Sequence, residues 1–318
     1  MHRRSLLALA ALPTAARAQA FPDRPVTMIV PYAPGGSADV LGRVVAPAMA
    51  EALGQSVVVE LRPGAGGNIG AAHVATGARA DGYTVLLGSL SLASAPALQT
   101  IPFDPTQDLV AIGGLGAVAS LMVVAPGSPF RSLADVLAAA RARPGAITYG
   151  SSGPATGSHL AGALLAARTG VELTHVPYRG SGAVYPDLIA GRIGFLLDGM
   201  GSSAGQVSSG AVRALGITSL QRSAQFPEVP TLAEQGVPGF EFLIWLGFFA
   251  RSGTPEPARA KLEAALVHAM AQPGVQEKLR QSSTLPLPPS GAEFGRFYAA
   301  DVARWQALVG QGKLARLD

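Results

Sequence analysis

The chain has 318 residues, of which 48% are hydrophobic and 14% charged, enough for two domains of ordinary size and too apolar for a disordered protein. Its net charge of +4 is an end effect: Arg3, Arg4 and Arg17 lie in the first twenty residues with no acid among them, and without them 21 basic face 20 acidic side chains. A body so nearly neutral, with no basic run, argues against a nucleic-acid partner, and the lack of cysteine excludes disulfides, thiolate metal sites and a lipid-anchored cysteine.

The first twenty residues, MHRRSLLALAALPTAARAQA, combine a basic start, an apolar run from Leu6 to Leu12 and small residues before Phe21. That run is too short to span a bilayer, so residues 1–20 are read as a secretory leader. Ala18-Gln19-Ala20 is the expected cleavage signal, with Ala16-Arg17-Ala18 next, and Arg3-Arg4 fits twin-arginine export without its fuller motif. No later stretch has eighteen uninterrupted apolar residues. A soluble, periplasmic mature protein is the expectation.

Apolar, β-rich runs predict strands at Val26–Val30, Ser56–Leu61, Tyr83–Gly88, Leu121–Ala125, Ala146–Tyr149, Leu173–Pro177, Ile193–Asp198, Val212–Thr218 and Phe242–Ala250. Three- and four-residue apolar spacing predicts helices at Ala38–Ala52, Ile69–Ala78, Leu133–Ala142, Ser158–Arg168, Val184–Ala190, Pro257–Ala271 and Ala292–Leu308. Ser132 is placed to cap one helix and Pro257 to open another. The alternation predicts α/β architecture, mostly parallel sheets with helices on both faces.

Several strands run into loops of small polar residues: PYAPGGSAD (31–39), GSLSLAS (88–94), GSSGPATGSH (150–159) and LDGMGSS (197–203). In such sheets ligands sit outside the carboxyl ends of the strands. Loops this far apart in sequence, if they converge, come from two lobes, with the ligand in the cleft between them.

Three enzyme-like patterns fail or weaken on inspection. PGAGGNIG (63–70) places Ile69 where a dinucleotide fingerprint needs its third glycine, so it is read as a tight, anion-tolerant turn. GSSAG (201–205) matches G-x-S-x-G and keeps open a secreted α/β-hydrolase with Ser203 as nucleophile, Glu234 and His268 as partners and Pro34–Ser37 as oxyanion loop; against it, His268 falls in a helical stretch. The five histidines show no metal-ligand spacing, so neither metal nor cofactor is expected. Among them His159, closing a glycine-serine loop at a helix start, fits either ligand contact or loop support. Asp39 suits the first turn of a helix, and Asp198, ending an apolar strand, fits ligand contact and scaffold equally.

The segments VTMIVPYAPGGSADVLGRVVA, LGQSVVVELRPGAGGNIGAAHVA, DGYTVLLGS, YGSSGPATGSHLAG, HVPYRGSGAVYPDLIAGRI, RALGITSLQRSAQFPEVPTLAEQGVPGFE and RSGTP, taken together and in order, resemble the Bug-type (TctC-like) extracytoplasmic solute-binding receptors of tripartite tricarboxylate transporters. The resemblance runs from Phe21 to Trp305. It implies a two-lobed type II periplasmic-binding fold, a flytrap, that performs no catalysis. It further implies a small carboxylate ligand (a di- or tricarboxylate, amino acid or aromatic acid) and membrane permease subunits as partners. The family's first carboxylate loop matches Tyr32 through Asp39, its opposing loop Ser151 through His159, and the loop after the third strand Ser89 through Ser94. Tyr32 and Ala33 stand where many members have Phe and a larger residue, and Leu61 replaces a common Asn.

The expected ligand-binding residues are therefore Tyr32, Ala33, Gly35, Gly36, Ser37, Ser89, Ser91, Thr156, Gly157, Ser158, His159, Tyr178 and Asp198, with Arg179 either adding a positive charge at the rim or, the preferred reading, facing solvent at a strand end. Neutral N–H and hydroxyl donors suit a receptor that must release its ligand. Lobe I is expected over 21–124 and 250–318 and lobe II over 125–249. Crossings are expected near Leu121–Pro126 and between Ile244 and Ser252, or alternatively at Ala214–Ser219. A monomer is the expectation for a receptor that hinges, and a sensor domain serving a signalling partner is the remaining alternative.

Overall fold

The computed structural model describes residues 21–282, 284–312 and 314–316; the expected leader lies outside the described residues. In chain order the elements are β1 (Val26–Val30), α1 (Ser37–Leu53), β2 (Val57–Leu61), α2 (Asn68–Ala72), β3 (Thr84–Ser89), α3 (Leu90–Leu98) and β4 (Leu109–Val124). There follow α4 (Leu133–Ala142), β5 (Thr148–Ser151), α5 (Gly157–Thr169), β6 (Thr174–Pro177), α6 (Ser181–Ile189), β7 (Phe195–Gly199), α7 (Met200–Ser208) and β8 (Arg213–Ile217). The chain continues through β9 (Leu243–Arg251), α8 (Glu256–Ala271), α9 (Pro273–Gln281), β10 (Thr284–Leu285) and α10 (Gly291–Gly310).

The strands join in the order β2-β1-β3-β9-β4-β7-β5-β6, with β8 and β10 also on β4. The outer ladders are parallel, as the alternation of strand and helix predicts: β1 with β2 and β3, β5 with β6 and β7. The central ladders, around β4 and β9, are antiparallel. Along β3, Val85 and Leu87 enter one apolar cluster and Leu86 the other, so the period-two alternation of side chains supplies cores on both faces of the sheet.

β4 is the spine. Its sixteen residues reach about 50 Å at the rise of an extended strand. Leu109 to Ala119 pair with β9, whereas Ser120 to Val124 pair with β7 and β8. The strand expected at Leu121–Ala125 covers only the last four residues of β4, Leu121 to Val124, because the glycines of IGGLG break the apolar pattern before it. The glycines are there for packing: a Cβ on Gly113 would lie 2.1 Å from the Pro289 carbonyl oxygen, and the ladder shifts register on either side of Gly113 and Gly114.

Where β4 changes partners, three segments are tied together. Ser120 N–H donates to Thr218 Oγ1 (2.8 Å), Thr218 N–H to Ser120 O (3.0 Å), Thr218 Oγ1 to Phe242 O (2.6 Å) and Phe242 N–H to Thr218 O (2.9 Å). Behind β9, Trp245 Nε1 donates to Asp301 Oδ2 of α10 (2.7 Å), and Trp305 Nε1 reaches the same oxygen at 3.3 Å.

Two expected loops are helices instead. GSLSLAS continues as α3 and LDGMGSS as α7. Helix α3 is buried at all but one position, so it shows no polar stripe by which to recognise it. The helix expected over Ile69–Ala78 is α2 followed by one wide π turn, His73–Gly77. Ser132 caps α4 with a capping box completed by Asp135.

Candidate functional site

Between the two halves of the sheet lies a cavity of about 410 Å³. The β1–α1 loop, the β2–α2 turn and the end of β3 supply one wall, and the β5–α5, β6–α6 and β7–α7 junctions the other.

Each wall carries a helix start without a side-chain cap. Gly36, at the N-cap of α1, has no side chain to offer, while Thr156, at the N-cap of α5, turns its hydroxyl to Gly153 O (2.6 Å). Gly36, Ser37 and Ala38 line the cavity from one side, and Thr156, Gly157 and Ser158 from the other. The positive ends of two helices therefore address one space, an arrangement that favours an anion with two acceptor ends.

The loops are held from behind. Gly35 (φ 77°) makes the left-handed turn into α1, and its N–H donates to Asp39 Oδ2 (2.9 Å), while Asp39 Oδ1 takes Arg43 Nε (2.6 Å). On the opposite wall Ser158 Oγ accepts the Ser152 N–H (2.9 Å), and Ala155 holds the left-handed conformation (φ 59°) as its N–H donates to His159 Nδ1 (3.1 Å). His159 stacks on His175, ring centroids 3.8 Å apart, and His175 Nε2 bonds Ser151 Oγ at 2.6 Å. Burial lowers both imidazoles to about 4, with the neighbouring ring adding to the effect on His159. On the first wall the Tyr32 hydroxyl bonds Ser89 Oγ (2.7 Å) and Ser91 Oγ (2.6 Å), and burial raises its pKa.

Of the residues expected from sequence, Tyr32, Ala33, Gly36, Ser37, Ser89, Thr156, Gly157, Ser158, Tyr178 and Asp198 come together on the cavity. Gly35, Ser91 and His159 do not line it. Gly35 has its N–H committed to Asp39, Ser91 stands behind Tyr32, and His159 supports Ala155. These three shape the loops from outside the cavity. Asp198 lines the wall but is engaged there: Oδ1 accepts Ser181 Oγ (2.8 Å), and Oδ2 accepts Tyr185 OH (2.8 Å) and Ser202 Oγ (2.7 Å). Burial raises its pKa against the opposing effect of these donors. Arg179 is exposed and borders the mouth.

Sequence reasoning placed Ser152 to Pro154 in the opposing loop and read residues 63–70 as an anion-tolerant turn without assigning either to ligand contact, and it missed Gly180, Ser181 and the apolar floor of Ile244 and Leu246. The turn carried a usable signal, since PGAGG ends a strand and enters a helix as the opening loop does. Its neighbours across the cleft carried none: Gly66 meets the Pro154 carbonyl, where a Cβ would be 2.6 Å away, and Gly180 meets Ala33 at the same distance.

The hydrolase geometry is absent at Ser203. Its side chain is fully buried within α7, and its Oγ donates to Asp198 O (3.2 Å) and Gly199 O (3.1 Å). Glu234 pairs with Arg222, and His268 of α8 bonds Gln272, the residue that ends that helix. Among the described residues no group of three or more acidic or histidine side chains is placed to hold a metal ion.

Comparison with known proteins agrees with this architecture. The model of the tripartite tricarboxylate transporter family receptor matches residues 41–314. A UPF0065 protein from the tcbD-tcbE intergenic region of a Pseudomonas species is 41% identical over 313 residues, 97% of this chain and 93% of that one. Among solved structures, the periplasmic binding protein BugD superposes with a TM-score of 0.87 at 32% identity, covering 93% of this chain and all of BugD. R. palustris Rpa4515, solved with adipate, gives 0.88 at 34% identity over 93% of this chain and all of that one.

Proposed function

Since the chain belongs to the family of tripartite tricarboxylate transporter receptors, we propose that it holds a small organic carboxylate between the starts of α1 and α5 and hands it to the permease subunits of such a transporter. The family is one of binding receptors and not of enzymes, and its fold is the two-lobed α/β fold of periplasmic binding proteins.

One observation carries the ligand assignment: two uncapped helix starts, from opposite walls, face the same cavity. Backbone N–H groups and helix dipoles hold a carboxylate without a buried counter-charge, which leaves release open. The adipate bound to Rpa4515 is a ligand of this chemical type. A cavity of 410 Å³ accommodates an acid of that size together with bridging waters, each of which occupies about 30 Å³ in the liquid.

The lobes exchange, in this reading, at Ala119–Ser120 within β4 and at Phe242–Leu243 ahead of β9, several residues from the boundaries drawn from sequence. Thr218 is then the pin between the two crossings. Export by a leader ending at Ala20 delivers the receptor to the periplasm. No helix among the described residues is long and apolar enough to cross a membrane.

The test is calorimetric titration of the mature protein with mono-, di-, tri- and aromatic carboxylates, followed by Gly36→Leu. Gly36 has φ −76°, and a Cβ there meets only ordinary contact at 3.5 Å. The variant should fold normally and lose the ligand. Undiminished affinity would sink the assignment.

A further inference from the structure

We infer that Ile244 sets the length of the acid this cavity accepts, because the tip of its side chain stands against the start of α5 and closes that end of the cavity. The assignment rests on the carboxylate reading above and deepens it by naming the side chain that measures the ligand.

β9 meets the cavity with two side chains two residues apart, Ile244 and Leu246. Leu246 is 1% exposed, whereas Ile244 is only half-buried, so Ile244 supplies most of the apolar floor. Its tip reaches the opposite wall. A Cβ on Gly157, the first residue of α5, would lie 2.7 Å from both Cγ1 and Cδ1 of Ile244. One on Gly199, at the end of β7, would lie 3.5 Å from Cδ1. The room that a side chain at Gly157 would occupy is thus taken by Ile244.

Gly157 belongs to the uncapped helix start that the carboxylate reading assigns to one end of the ligand. A carboxylate held there has Ile244 Cδ1 as its neighbour, and that atom limits how much hydrocarbon fits behind it. The stop is also firmly mounted. Ile244 pairs with Val118 in the β4–β9 ladder, and the backbone of Phe242, two residues earlier, is bonded to Thr218 through both its N–H and its carbonyl. The neighbouring Trp245 is tied to Asp301, and a β-branched side chain has few rotamers to escape into. Arg179 at the mouth, a long and exposed side chain, can swing aside and sets no comparable limit. In a close-packed site one methylene too many is therefore felt against Ile244.

Unbranched α,ω-diacids from succinate to suberate, which lengthen by one methylene at each step, measure this gauge by calorimetry on the mature protein. Wild type should show one best length, with affinity falling beyond it. Ile244→Val deletes Cδ1 alone, a truncation small enough for the fold to keep. It should move the best length one methylene further and raise affinity for the longer acids by about fourfold per methylene admitted, while weakening the shorter ones. Ile244→Ala, which removes Cγ1 as well, should move it further still. A flat profile in wild type, or the same best length in both normally melting variants, would overturn the gauge and leave the carboxylate reading standing. Failure of every diacid to bind folded protein would also overturn the gauge; the carboxylate reading falls with it only when the wider panel of carboxylates fails too.

Discussion

His159 Nδ1 accepts the backbone N–H of Ala155 at 3.1 Å, and so holds a non-glycine residue in the left-handed conformation at the entrance to α5. That bond exists only while Nδ1 is unprotonated, and the stacked His175 ring adds a second group that resists charging. Both pKa values are depressed from 6.5 to about 4, so the neutral forms are favoured in the folded protein. A base with a depressed folded pKa contributes stability that is complete above the unfolded value and lost as pH falls toward the folded one. Thermal melts should therefore be flat above about pH 6.5 and decline between pH 6.5 and 4. His159→Phe, which cannot titrate at that position, should flatten part of the decline; an unaltered profile would refute the role of the pair.

The two walls meet by close backbone approach. Ser37 at the start of α1 lies against Gly201 of α7, where a Cβ would come within 3.0 Å of Ser37 Cα. Gly201→Ala favours helix by up to about 1 kcal/mol yet wedges the two walls apart. Unchanged or raised thermal stability with carboxylate affinity reduced about tenfold is the expected pair of results, read by melting and calorimetry.

Thr218 joins Ser120 of β4 to Phe242, just ahead of β9, through one hydroxyl. Thr218→Val keeps the shape and leaves the Ser120 N–H and the Phe242 carbonyl each without this side-chain partner. Each such loss in a buried site costs about 1–3 kcal/mol. Urea denaturation should show a fall of that order, and a change below experimental scatter would exclude Thr218 as the pin.

Ser203→Ala removes two weak hydroxyl donations to Asp198 O and Gly199 O and nothing that faces the cavity. Ligand affinity should stay within twofold of wild type, with stability reduced by about 0.5–1.5 kcal/mol. An esterase activity abolished by this change would contradict the receptor assignment.

Much of the architecture is legible from local pattern. The strand VTMIV and the glycine turns after it, like YGSSGPATGSH more than a hundred residues later, advertise themselves because strand propensity, glycine geometry and helix initiation act over a handful of neighbouring residues. The failed fingerprint at Gly64 and the near-neutral body are likewise local readings, and they argue against a nucleotide or nucleic-acid ligand without coordinates. Other features depended on residues far apart in sequence. Helix α3 and the first half of β4 are buried on nearly all sides, so neither shows the polar stripe or clean alternation by which such elements are recognised. Gly35, Ser91 and His159 have the right residue types in the right loops, but their polar groups are spent on Asp39, Tyr32 and Ala155. Asp198 fitted ligand contact and scaffold equally from sequence, and its saturation follows only from Ser181, Tyr185 and Ser202 being folded around it. Residue pattern alone established two glycine-rich strand-to-helix loops, because each is a short-range property. That they face each other, and which of their donors and acceptors have partners, came from the fold, because hydrogen-bond capacity is used up by groups that chain folding brings near.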